Sequence, residues 1–118
     1  MSDSQQNLIT RAYDGFNRRD IDSVLALMTP EVDWPNGMEG GRVRGHEEVR
    51  AYWVRQFAVL DPHVEPVSIT AQPDGRVAVR VHQVVRDLSG HVVVDHFVQH
   101  VYTLQDGLIA HMEIRESE

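Results

Sequence analysis

Four polar side chains in the second half of the chain could do chemistry together: Arg80, His82, Asp95 and Gln99. Imidazole titrates nearest to neutrality of all side chains, which suits His82 to act as general base or acid on a bound substrate. Asp95 would orient that ring or carry a second proton. Arg80 and Gln99 offer donors that could hold a carbonyl or carboxylate and stabilise negative charge developing on it. The catalytic assignment from sequence is therefore His82, Asp95 and Arg80, with Gln99 as a ligand contact. Trp34, Trp53, Phe57, Phe97 and Met112 would supply the apolar walls. Such a site would take a small, mostly hydrophobic molecule with a polarised oxygen. The reaction would be a cofactor-free isomerisation, cyclisation, dehydration or hydrolysis. The other reading is a buried Arg80–Asp95 pair that only satisfies itself, in a ligand-binding or dimeric interaction module without catalysis.

Whether those residues meet depends on strand register. Residues 77–88, 91–105 and 108–115 alternate as strands and are separated by Ser89-Gly90 and Asp106-Gly107, while Asp74-Gly75 precedes them. Read as two-residue hairpin loops, these turns set the pairing by counting outward. Val67 then faces His82, Ile69 faces Arg80, His82 faces Phe97, Arg80 faces Gln99 and Val101 faces Met112. Asp95 falls diagonal to His82 across one strand pair.

Counting also predicts two faces. One carries Val67, Ile69, Ala71, Val84, Phe97, Val101, Ala110, Met112 and Ile114, together with Arg80, His82, Arg86, Asp95 and Gln99. The other carries Val79, Val81, Val94, Val98 and Tyr102, with His96, His100, His111 and Glu113 among them. The first and last strands place their apolar residues only on the first face, which predicts that this face is covered by helices. A cavity between helices and a curved sheet, with convergent polar groups, is the usual form of a ligand site. The second face would leave valines in water, so a homodimer through Val79, Val81, Val94, Val98 and Tyr102 is the expected remedy.

The preceding chain supplies the cover. Leu8, Ile9, Ala12, Tyr13 and Phe16 form an apolar stripe at helical spacing over residues 5–17. Asp20 caps a second helix with Ile21, Val24, Leu25 and Met28 facing inward, ended by Pro30. Residues 31–34 read as a short strand, and the glycine-rich stretch 36–45 as a loop at the cavity rim. A third helix spans residues 46–60, with Glu47 and Glu48 complementing its dipole in the first turn. Pro66 marks the strand at 63–73 as an edge strand. The fold class is α+β: a curved antiparallel sheet wrapped around three N-terminal helices, a cone-shaped, cystatin-like roll enclosing a pocket.

Composition closes off other functions. The 118 residues read as a single domain, 1–118, at 42% hydrophobic and 25% charged. With no cysteine there is no disulfide, thiolate metal site or thiol nucleophile, and with every basic residue an arginine there is no Schiff-base lysine. A net charge of -7 repels phosphate backbones and anionic lipid, so neither nucleic acid nor membrane is an expected partner. The polar start MSDSQQ does not read as a signal peptide, and a cytoplasmic location is the default. No metal site is expected. His96 and His100 share a face but stand ~13 Å apart along a strand, too far to share one ion. His100 opposite Glu113 reads as a polar interface contact.

Three stretches carry a resemblance: AYDGFNRRDIDSVLALMTPEVDW, RVRGHEEVRAYWVRQF and HVYTLQDGLIAHMEI. On these the chain resembles the nuclear transport factor 2-like superfamily, in its SnoaL-like and ketosteroid-isomerase-like branch, over nearly its whole length. The resemblance implies a curved sheet and three helices around a pocket, and often dimerisation through the outer sheet face. It places the isomerase's general-base aspartate at Trp34 and its oxyanion-binding tyrosine at Ala12, beside Tyr13. The second acid, which is also the cyclases' acid/base aspartate, falls at Gln99. All three positions depart from the family pattern. What it implies here is the pocket, with Met112 and Val84 at wall positions, Tyr13 a candidate ligand contact, and Asp95 the nearest carboxylate.

Overall fold

The computed structural model describes residues 3–116; Met1 and Ser2 of the polar start lie outside them. Helix α1 (Asp3–Asn17) and the short α2 (Ile21–Leu25) lead into strands β1 (Met28–Pro35) and β2 (Arg42–Arg44), then helix α3 (Gly45–Val59). Strands β3 (Leu60–Ala71), β4 (Val77–Asp87), β5 (Val92–Gln105) and β6 (Leu108–Glu116) complete the chain. The α+β architecture is the expected one. The sheet has six strands in the order β2-β1-β6-β5-β4-β3, which makes β3, with Pro66, an edge strand.

Local chemistry explains the elements. The Asp20 carboxylate accepts from Ser23 N at the start of α2. The α1–α2 corner needs Gly15, because a Cβ there would lie 2.7 Å from Val24 Cγ2. Helix α3 begins with the Glu48 carboxylate accepting from Arg44 N at 2.8 Å, and Glu47 beside it at the positive end of the dipole. Asn36 ties the following loop by accepting from Glu39 N, and Arg55 of α3 grips the Glu39 carboxylate through two nitrogens. Those bonds from Arg55 and Asn36 hold the Glu39 carboxyl down to about 2.

Two expected elements change. Met28, assigned to the end of the second helix, instead opens β1 and aligns with Ile109 of β6. That pairing is parallel, so the sheet is mixed rather than purely antiparallel. The rim loop also contains β2, which pairs antiparallel with β1 through Asp33–Arg44 and Trp34–Val43.

Register decides the faces, and here the counting needs correction. The β4–β5 pairs His82–Phe97, Arg80–Gln99 and Val84–Asp95 are as counted. The β3–β4 loop, however, holds three residues, since Gln72 and Arg76 close around Pro73, Asp74 and Gly75. Ile69 therefore pairs with Val79 rather than Arg80, and a bulge at Val67 shifts the rest of β3 once more. In β6 an irregularity beside Ala110 moves Met112 from Val101 to Tyr102. His100 accordingly faces Ile114, not Glu113. Residues 68–71 of β3 and 111–116 of β6 had thus been counted one residue out, which inverts the side chains they share with β4 and β5.

The helices therefore cover the valine face. Val77, Val79, Val81, Val98 and Tyr102 are buried with Ile9, Val49 and Trp53 in one core. Val79, Val81, Val98 and Tyr102 are thus unavailable as a dimer face, and half-buried Val94 lines the interior cavity. Val67, expected in the core, is 52% exposed.

Candidate functional site

A cavity of about 700 Å³ opens between the valine face of the sheet and helices α1 and α3. Its walls are aromatic. Trp34 meets Trp53 edge-to-face with centroids 5.7 Å apart, and Trp53 meets Phe16 the same way at 5.6 Å. Such contacts hold large rings in fixed positions and stabilise the wall by about 1 kcal/mol each beyond burial. Rim geometry is set by Arg42, which donates to the Asp33 carboxylate and to the Met112 carbonyl, binding β2 and β1 to β6. Burial pushes the Asp33 carboxyl up, but the bond and charge of Arg42 outweigh it and keep the group below its ordinary range.

Three polar side chains stand at the closed end. Tyr102 donates to the Tyr13 hydroxyl at 2.8 Å, and the Tyr13 hydroxyl lies 2.7 Å from His100 Nδ1. A hydroxyl has one hydrogen. With Tyr102 donating to it, Tyr13 passes its own hydrogen to Nδ1, and the neutral ring of His100 carries its hydrogen on Nε2. No partner for that Nε2 occurs among the described residues, nor is any fully enclosed side-chain nitrogen left unbonded there. His100 lines the cavity, so Nε2–H is its polar group open to a ligand.

Burial fixes the protonation states. Desolvation pulls His100 down to about 4, so the ring is neutral at physiological pH. It also pushes both tyrosines above their ordinary value. The trio is an uncharged relay whose cavity-facing end is a hydrogen-bond donor. Glu113, the one acidic residue at the wall among the described residues, turns its carboxylate to Arg115 and Arg76 at 2.6 and 3.0 Å. Those partners hold its carboxyl below its usual range.

The residues expected to form the site divide between the two faces. Tyr13, Trp34, Trp53 and Met112 line the cavity. Phe57 packs beside it against Phe16 and beneath the Arg19 guanidinium, which lies 4.3 Å from its ring. Val84, Phe97 and Gln99 lie on the opposite face with Arg80, His82 and Asp95, because residues 68–71 and 111–116, used to choose the inner face, were one residue out of register. His82 and Asp95 do meet, with Nε2 and Oδ1 2.7 Å apart, but in contact with solvent. The His82 ring stacks on Phe97 at 4.8 Å, and the Arg80 guanidinium lies 4.2 Å above that same ring.

Counting missed His100, His96 and Gln83 as cavity residues and placed Tyr102 at a subunit interface. One signal could have found them. The odd positions of β4 include four valines, Val77, Val79, Val81 and Val85, beside Gln83 and Asp87, while the even ones include Arg80, His82 and Arg86. In an interior strand, the side that carries most of the valines is the one to bury. Among the described residues, no group of three or more His, Cys, Asp or Glu side chains has metal-binding geometry. Nor is any described helix long and apolar enough to cross a membrane.

Comparison with known proteins places the architecture. A SnoaL-like domain model matches residues 9–112. No curated protein matches the sequence. An NTF2-like protein of unknown function from Burkholderia pseudomallei K96243 superposes with a TM-score of 0.84 at 26% identity, over 99% of this chain and 92% of its own. TerC, co-crystallised with polyporic acid, superposes at 0.83 with 30% identity, over 97% and 92%. A Mycobacterium tuberculosis protein in complex with estradiol-17β-hemisuccinate shares the fold at 0.81, with 17% identity over 96% and 93%.

Proposed function

The chain belongs to the SnoaL-like domain family, and from that premise we propose that its cavity binds a small, mostly hydrophobic molecule and polarises a carbonyl oxygen on it. One observation carries this reading. In a chamber walled mainly by aromatic and aliphatic side chains, the Tyr102–Tyr13–His100 chain leaves one neutral N–H donor aimed at the ligand space. A donor fixed by two further hydrogen bonds and shielded from water suits an oxygen on which negative charge develops. TerC, 30% identical to this chain, is co-crystallised with polyporic acid, which supports a small organic ligand for this fold.

The chemistry that fits is cofactor-free enolisation, the step shared by isomerisation, cyclisation and dehydration next to a carbonyl. A proton leaves the carbon beside the carbonyl, the electron pair moves onto oxygen, and His100 Nε2–H hydrogen-bonds that oxygen. Hydrolysis, the other reaction class expected from sequence, would use the same polarised carbonyl. Among the described residues the cavity wall supplies no free carboxylate, so the departing proton goes to water in this scheme.

The test needs no natural substrate. Trp34 and Trp53 in the wall make intrinsic fluorescence a binding readout. 4-Acetylbiphenyl should bind about five- to tenfold more tightly than biphenyl, the gain of one well-placed hydrogen bond. Its methyl hydrogens should exchange with D₂O faster than in buffer, read by NMR. Both effects should fall away in His100→Leu, with His100→Gln as the better-folded control. Equal affinity for the two biphenyls would overturn the reading. Tight ketone binding without exchange would leave the non-catalytic binding module as the function.

A homodimer remains part of the proposal, through the face opposite to the one expected from sequence. Phe97 is 41% exposed there, between Arg80 and His82, and gives that face its apolar centre.

A further inference from the structure

We propose that the cavity is built for an elongated ligand with an oxygen function at each end, a carbonyl at the floor and a hydroxyl at the mouth. The inference rests on the reading of His100 as carbonyl donor and adds a second anchor. The inward side chains of β5 mark out the depth. Tyr102 and His100 are buried at 1% and 6%, Val98 is buried, and His96 is exposed. His96 still lines the cavity, as does Gln83 opposite it on β4.

These two side chains are paired. His96 Nε2 donates to Gln83 Oε1 at 3.0 Å, because a carbonyl oxygen can only accept. On a neutral ring so bonded, Nδ1 is the acceptor, and the Gln83 amide keeps its N–H donors. An acceptor beside a donor matches a hydroxyl, which both gives and takes a hydrogen bond. At the floor His100 Nε2–H is a donor and matches a carbonyl.

Between floor and mouth the wall is apolar, formed by Val98, Val85 and Trp53. Four residues of strand separate His100 from His96, or ~13 Å. Allowing for a hydrogen bond at each end, the ligand's terminal oxygens should lie about 8 to 13 Å apart. A rigid aromatic or polycyclic hydroxyketone has that span. A compact molecule would reach one anchor only.

Three probes separate the two anchors: biphenyl, 4-acetylbiphenyl and 4-acetyl-4′-hydroxybiphenyl, each titrated by tryptophan fluorescence. In the wild type the added hydroxyl should tighten binding about fivefold over 4-acetylbiphenyl. His96→Leu should remove that gain, read as the ratio of the two affinities within the same variant, and Gln83→Leu should reduce it. His96 is exposed, so its replacement leaves the core intact. A hydroxyl that adds nothing in the wild type, or a gain that survives His96→Leu, overturns the two-anchor site while the ketone preference stands. Loss of the ketone's own advantage over biphenyl overturns the carbonyl reading, and this inference with it.

Discussion

His100 and His82 lie on neighbouring strands, and each holds an oxygen 2.7 Å away, yet the sheet gives them opposite circumstances. His100 faces the helices, and desolvation makes its charged form costly, so it stays a neutral link between two phenols and the cavity. His82 faces solvent beside Asp95, with 37% and 58% of their side chains exposed, and water screens the pair. The same residue type at the same bond length therefore serves different ends. Location relative to the sheet's two faces, rather than proximity of a carboxylate, decides which histidine meets an apolar ligand.

The largest effect should come from exchanging the faces directly. Val81 is wholly buried and Val84, three positions on, looks the other way. Val81→Asn puts an unpaired amide into the core and should cost about 4 kcal/mol or more. Val84→Asn should cost about 1 kcal/mol or less. Urea unfolding followed by circular dichroism compares the two, and equal losses would undo the assignment of inside and outside.

The fold was legible because periodicity and turn residues place elements without reference to distant contacts. The cap at Asp20, the first-turn acids Glu47 and Glu48, and the Asp106-Gly107 turn were all readable. The last has positive φ at both residues, 53° and 78°, as a two-residue hairpin requires. Register was less legible, because a Gly in a turn does not reveal loop length. Pro73 and Leu88 belong to their loops, making each three residues long. At the β4–β5 turn a compensating irregularity near Val93 restored the counted pairs, so that ladder was right through two cancelling offsets. No such cancellation rescued β3 or β6. The bulge at Val67 follows Pro66, a residue without an N–H to give the ladder, whereas nothing in the type of Ala110 announces its bulge. Walls built on helices and β1, namely Tyr13, Trp34 and Trp53, were found because they did not depend on that count.

Acid should sharpen the contrast between the histidines. His100 titrates at about 4 in the fold against 6.5 ordinarily. Below pH 6.5 the unfolded chain takes up a proton that the fold refuses. The contribution is therefore whole above 6.5 and is lost as pH falls toward 4, by about 3 kcal/mol. His100→Gln, which can still accept from Tyr13, should flatten the unfolding free energy across that window relative to wild type. Identical pH profiles would mean that the ring is not buried as described. Asp20, Asp74 and Glu39 titrate lower still and are common to both proteins.

A smaller loss should follow removal of the central hydroxyl. Tyr13→Phe leaves Tyr102 without its acceptor and His100 Nδ1 without its donor, both in buried positions. The expected cost is about 2 kcal/mol in unfolding free energy. The ketone preference over biphenyl should also shrink, since the tautomer of His100 is no longer fixed. Full retention of that preference would show that His100 alone orients the donor.

The smallest effect is the most discriminating. His82→Ala removes the ring that joins Asp95 to Phe97, on the face turned away from the cavity. An exposed pair of this kind contributes about 1 kcal/mol or less to stability, so unfolding should barely move. Affinity for 4-acetylbiphenyl and the rate of methyl exchange should stay at wild-type values, because the sheet backbone stands between His82 and the chamber. A drop in exchange with binding intact would return catalysis to the solvent face and to the His82–Asp95 dyad. A change confined to sedimentation, with both ligand readouts unmoved, would instead assign that face to contact with a second copy of the chain.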